Sequence, residues 1–117
     1  MYDHIGIKVK DLEASVRFYT AALAPLGYVL CSSDASGAGF GPPGAPALWL
    51  SRGGGGQGVH VAFRATDHAA VDRFHRAGVE AGGRDHGRPG PRPDYGPTYY
   101  AAFLLDPDGN NVEAVHT

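Results

Sequence analysis

An α+β fold built from one unit used twice is what this sequence predicts, and three observations carry the prediction. Residues 4–27 (HIGIKVKDLEASVRFYTAALAPLG) and 60–83 (HVAFRATDHAAVDRFHRAGVEAGG) align without a gap at an offset of 56 residues and are identical at seven of 24 positions. About two matches would arise by chance at this composition, and self-similarity of this period decides the architecture. Each copy opens on alternating apolar residues and continues with apolar residues at helical spacing, the signature of a strand followed by a helix. Near the end, Asp106-Pro107-Asp108-Gly109 separates two further apolar runs, as the turn of a hairpin does. Each unit is therefore a strand, a helix and two or three more strands.

The first strand spans residues 4–10, with Ile5, Ile7 and Val9 on one side and His4, Gly6 and Lys8 on the other, so His4 points away from the aliphatic face. Asp11 is a good N-cap for a helix in which Leu12, Val16, Tyr19 and Leu23 recur until Pro25 and Gly27 stop it. Strands at 28–32 and 46–51 follow, separated by a loop rich in Gly and Pro, and 53–58 (GGGGQG) reads as a flexible linker. The second copy has its strand at 59–65, Asp67 as N-cap, and a helix with Val71, Phe74 and Val79 inward that ends at Gly82-Gly83. A polar loop, 84–97, leads to strands at 99–105 and 110–116 around the Asp-Pro-Asp-Gly turn. Its residue order suits a type I turn followed by a bulge, which places Phe103 opposite Glu113, with Ala101 and Tyr99 on the same face. Residues 1–117 are then one domain: module one 1–52, linker 53–58 and module two 59–117.

Composition bounds the function. With 43% hydrophobic and 19% charged residues the chain is globular, and at 117 residues it buries so modest a fraction of its surface that homodimerisation is expected. A net charge of -2 gives no footprint for phosphate backbones or anionic lipid, so neither nucleic acid nor membrane is an expected partner. Cys31, the one cysteine, is read as a structural thiol. It suits a reducing cytoplasm, and the N-terminus shows no basic start or apolar signal segment.

His4 and His60 open the two copies at equivalent places, and Glu113 lies in the last strand on the side opposite Val112 and Ala114. Two neutral imidazoles and one carboxylate on rigid strands make a ligand set suited to one divalent ion: Fe, Mn, Zn, Ni or Co. Tyr99 is a candidate to hydrogen-bond the reacting oxygen, which makes Glu113 and Tyr99 the expected catalytic pair. Arg52, His86 and Arg92 are loop residues suited to an anionic substrate group, and Trp49 and Phe103 are candidates for an apolar wall.

HIGIKVKDLEASVRFY, GVHVAF and FLLDPDGNNVEAV resemble the signature stretches of the vicinal oxygen chelate superfamily, which includes glyoxalase I, extradiol dioxygenases and bleomycin resistance proteins. The resemblance spans nearly the full chain. It implies two βαβββ modules forming a curved mixed sheet around a metal and substrate cavity, with His4, His60 and Glu113 as the metal ligands. It also implies an enzyme of glyoxalase-like lyase or isomerase type, or of extradiol dioxygenase type, acting on a small oxygenated substrate. The alternative it implies is a non-catalytic, drug-binding dimer. Glyoxalase I resembles this chain but takes a fourth ligand from the last strand of the first module, where this chain has Ala47-Leu48-Trp49-Leu50. In this superfamily the modules pair within a chain or exchange between chains.

Overall fold

In a computed structural model the described residues are 1–54 and 59–117, so most of the expected linker lies outside them. Strand β1 (Ile5–Val9) buries Ile7 and Val9, while Ile5 at the rim is 38% exposed. Asp11 caps helix α1 (Leu12–Leu23), its carboxylate accepting a hydrogen bond from the Ala14 amide at 3.0 Å. Leu12, Phe18, Tyr19, Ala22 and Leu23 face inward; Pro25 and Gly27, the latter at φ +88°, end the helical run. Strands β2 (Val29–Ser33), β3 (Gly37–Gly41) and β4 (Leu48–Arg52) complete the first module. The second contains β5 (His60–Arg64), helix α2 (His68–Glu80), β6 (Arg84–Pro91), β7 (Tyr100–Leu105) and β8 (Asn111–His116). Asp67 caps α2 through the Ala70 amide at 2.7 Å, as the equivalent Asp11 caps α1.

Two of these strands correct the sequence reading. β3, Gly-Ala-Gly-Phe-Gly, occupies the segment read as a loop, because three glycines suppress any strand propensity. The glycine at 39 has a packing reason: the Trp49 ring on the neighbouring strand lies across it, and a Cβ there would sit 2.6 Å from the indole. β6 occupies the first part of the segment read as a polar loop. It is an edge strand with two register breaks, at 85/87 and 87/90, and an edge tolerates prolines such as Pro89 and Pro91 that a central strand would exclude. A third correction concerns Val79, which is 43% exposed; Gly78 faces inward instead. A Cβ on Gly78 would meet Leu104 Cδ1 at 2.3 Å, so the helix is in backbone contact with the sheet and has no room for a side chain there.

Each module forms its own four-stranded mixed sheet, in the orders β1-β4-β3-β2 and β5-β8-β7-β6. The first and last strands of each module run parallel, and the others antiparallel. Gly109 at φ +90° supplies the bulge, and Phe103 pairs with Glu113 as the turn chemistry predicts. A helix covers one face of each sheet, and α1 and α2 pack on each other, merging both modules into one core that includes Phe18, Tyr19, Leu23, Phe74, Leu104 and Val112. Phe18 of α1 rests on the end of α2, where a Cβ on Gly83 would lie 2.3 Å from its ring.

The turn after β7 locks the modules together. Asp106 is 1% exposed and its Oδ1 accepts from the Asp108 and Asn110 amides, while Oδ2 accepts from Asn110 Nδ2 and, at 2.6 Å, from Tyr19 Oη of α1. Asp108 in turn accepts from the Lys10 amide. Burial and the adjacent Asp106 charge hold the Tyr19 phenol well above its usual range, so it remains a donor. Tyr19→Phe should destabilise the fold by about 1–3 kcal/mol in urea unfolding, since it leaves a buried carboxylate short of one donor; an unchanged midpoint would count against this lock.

Candidate metal centre

The helix-free face of the second sheet carries the polar residues singled out by the sequence. In parallel register, His60 lies beside Asn111 and Ala62 beside Glu113, and Phe103 pairs with Glu113 from the other side. Val61, Val112 and Leu104 alternate to the helix-covered face and are buried. The strand period that places the valines in the core thus places His60 and Glu113 opposite.

His60 Nε2 is 3.0 Å from Glu113 Oε2, and His60 Nδ1 is 3.2 Å from the Asn111 carbonyl. A carbonyl only accepts, so Nδ1 carries a hydrogen and Nε2 is turned to the carboxylate. Two acceptors would then confront each other unless a cation, a proton or a metal ion, lies between them. The imidazole is about half exposed (47%), whereas the Glu113 side chain is 4% exposed. Tyr99 Oη donates a hydrogen bond to the other carboxylate oxygen, Oε1. Burial, then the hydrogen bond and charge of Glu113, push the Tyr99 phenol up to about 12. At neutral pH Tyr99 is therefore a donor that fixes Glu113, and it is not a base. Phe103 stacks on His60, with centroids 6.3 Å apart and planes at 23°.

The other candidates are distributed unevenly. His4 stands on the first module, its Nδ1 2.7 Å from Asp3, with 58% of its side chain exposed. Among the described residues no three His, Cys, Asp or Glu side chains converge to hold a metal. Within one chain the donors present are thus His60 and Glu113, two of the three that the resemblance implies. Leu48 and Leu50 are buried, and Trp49 lies over Gly39. Arg52 is bound to Glu13 of α1 at 2.7 Å and to the Ala35 carbonyl at 2.8 Å. His86 is exposed on β6. Arg92 lies over the Phe103 ring, with Cζ 5.4 Å from its centroid. The Asn111 carbonyl, which orients His60, escaped the sequence because a main-chain acceptor has no residue signature.

Paired βαβββ modules with a histidine and a glutamate on adjacent strands define the vicinal oxygen chelate class. Within it, the chain belongs to the glyoxalase-like domain family, whose profile matches residues 4–115. It is similar to a glyoxalase/bleomycin resistance protein from Albidiferax ferrireducens T118, at 33% identity over 100% of this chain and 99% of that one, with a TM-score of 0.88. A glyoxalase I variant from Zea mays is 27% identical over 96% of this chain and 44% of its own length, with a TM-score of 0.72. A glyoxalase/bleomycin resistance protein/dioxygenase family enzyme from Burkholderia phytofirmans PsJN shares the fold at 19% identity, covering 97% of this chain and 95% of that one, with a TM-score of 0.74. No curated protein matches the chain.

A tyrosine pKa raised by folding stabilises the folded state below the unfolded value, near 10, and that stabilisation is lost as pH rises through the folded value, about 12 for Tyr99. The stability difference between wild type and Tyr99→Phe should be constant from pH 7 to pH 9 and shrink steadily from about pH 10 to 12 in urea titrations. A difference that does not change with pH would show that Tyr99 is not held in this way.

Proposed function

We propose that this protein is a divalent-metal-dependent enzyme acting on a small oxygenated substrate, with its centre completed between two copies: His60 and Glu113 from one chain, His4 from the other. The observation that supports this reading is the contact of His60 Nε2 with Glu113 Oε2, which sets an imidazole and a carboxylate, two donor types suited to a divalent ion, side by side on the open face. The free edges support exchange. Among the described residues β1 pairs only with β4 and β5 only with β8, so each sheet ends in a strand edge able to accept another chain. Helix-to-helix packing directs the two open faces apart within one chain, and a homodimer brings an open face of each kind together. Bound there, Fe, Mn, Zn, Ni or Co would polarise a substrate oxygen and stabilise the negative charge that develops on it.

The chain's own residues prepare that step. Asn111 fixes the ring of His60, and Tyr99 holds Glu113 by its second oxygen. Glyoxalase-like lyase or isomerase chemistry is the reading we favour, on the strength of the glyoxalase relatives, over ring cleavage of the dioxygenase type. No described helix is long and apolar enough to cross a membrane. The cytoplasm is the compartment we propose, because a single free cysteine suits a reducing environment. A second reading, a ligand-sequestering dimer, is favoured by one feature. An apolar cleft of about 300 Å³ lies between the modules, lined by Ile5, Tyr28, Phe40, Leu48, Val61 and Phe63 among others.

Protein purified without chelators should hold about one metal equivalent per chain, and His60→Ala should abolish it. Tyr99→Phe should weaken metal binding about 10–100-fold. Stabilisation in a thermal-shift panel by bulky apolar ligands, and by none of the five ions, would instead support the sequestering reading.

Mixing His4→Ala with Glu113→Ala protein tests the exchange. In each heterodimer one site regains all three ligands, so random assortment should restore about a quarter of the wild-type metal. A site contained within one chain would show no recovery.

A further inference from the structure

The open face of the second sheet holds a cation whose position is built by the backbone. Arg92 Nη1 donates to the Gly90 carbonyl at 2.9 Å and the Pro91 carbonyl at 3.3 Å, and Nη2 donates to the Arg88 carbonyl at 2.7 Å. These acceptors belong to β6, whose pairing with β7 is interrupted between Asp85 and Gly87 and again between Gly87 and Gly90. The interruptions release carbonyls from the ladder and turn them to the guanidinium. Glycine makes the space: a Cβ at Gly87 would lie 3.3 Å from Arg92 Nη2 and 2.9 Å from Phe103 Cδ1, and one at Gly90 would lie 3.5 Å from Nη1. The result is a column in which Arg92 lies over Phe103 and Phe103 stacks on His60.

Its charge is uncompensated. Arg52 is neutralised by Glu13, but among the described residues no carboxylate forms an ion pair with Arg92. Carbonyl dipoles and an aromatic face hold a guanidinium in place without cancelling its charge. Nε–H and one Nη2–H have no protein acceptor among the described residues. Free N–H donors on a guanidinium suit the oxygens of a carboxylate.

We propose that Arg92 is the anion-recognition residue of this face and that the substrate carries a carboxylate, or an equivalent anionic oxygen acid, separated from its reacting oxygen by the span of the Phe103 ring. This rests on the open face of the second module being the substrate face.

The test is an NMR titration of the purified protein, following the Arg92 Nε–H resonance with acetate, pyruvate and benzoate and with their neutral methyl esters. At least one acid should shift that resonance saturably while its ester does not. Arg92→Gln should weaken binding of that acid about ten- to a hundredfold, the loss of charge-assisted hydrogen bonds, and leave metal content unchanged. Acids that shift Nε–H no more than their esters, or an Arg92→Gln protein that binds the acid as wild type does, would overturn the proposal. The acid–ester comparison on wild type holds even where the variant folds poorly. Metal content measured on the same samples separates the two readings: metal without acid recognition sinks the anion site alone, and acid recognition without metal sinks the metal centre alone.

Discussion

One buried carboxylate organises this protein. Asp106 accepts amides from its own turn, and thereby sets the β7–β8 register that brings Phe103 opposite Glu113. Its remaining oxygen accepts from Tyr19 of the other module, so the same group aligns the site and joins the halves. A carboxylate removed from water is tolerated only when its oxygens are satisfied, and here they are satisfied by donors from two modules at once. Register, module packing and the position of Glu113 are therefore coupled through a single side chain.

The scaffold is repeated but its chemistry is not. Equivalent aspartates cap equivalent helices, and of the two equivalent histidines His4 precedes β1 while His60 opens β5. Their opposite faces differ. The second sheet presents His60, Glu113 and Phe103, whereas the first presents Gly6, Lys8 and Trp49 lying across Gly39. Close contact between α1 and α2 depends on the bare backbone at Gly78 and Gly83, against which Leu104 and Phe18 press. That contact places the helices inside and leaves the two polar faces outside, and it is the physical basis for proposing a centre shared by two copies.

Much of the site was legible in the sequence because strand alternation is a local rule. Val61 and Val112 had to go to the core, so His60 and Glu113 had to go to the other face; Gly109 after Asp106-Pro107-Asp108 decided which residue faces Glu113. β3 and β6 were not legible. They are rich in glycine or proline, and they become strands because neighbours supply the hydrogen bonds and, at Gly39, an indole to cover the bare backbone. Nor could Val79 and Gly78 be told apart, because which of two adjacent helical positions faces inward depends on how closely α2 approaches β7.

The sequence by itself determined the two-module α+β fold, the capped helices, the final hairpin register, and the side of the sheet on which His60, Glu113 and Tyr99 stand. These follow from periodicity and turn chemistry, which act over a few residues. Only the tertiary structure decided that the modules meet through their helices, that His4 stands apart from His60 and Glu113 in one chain, and that Arg92, unlike Arg52, has no ion-pair partner among the described residues. Those outcomes depend on carbonyl positions, helix approach and distant partners, and no stretch of neighbouring residues encodes them.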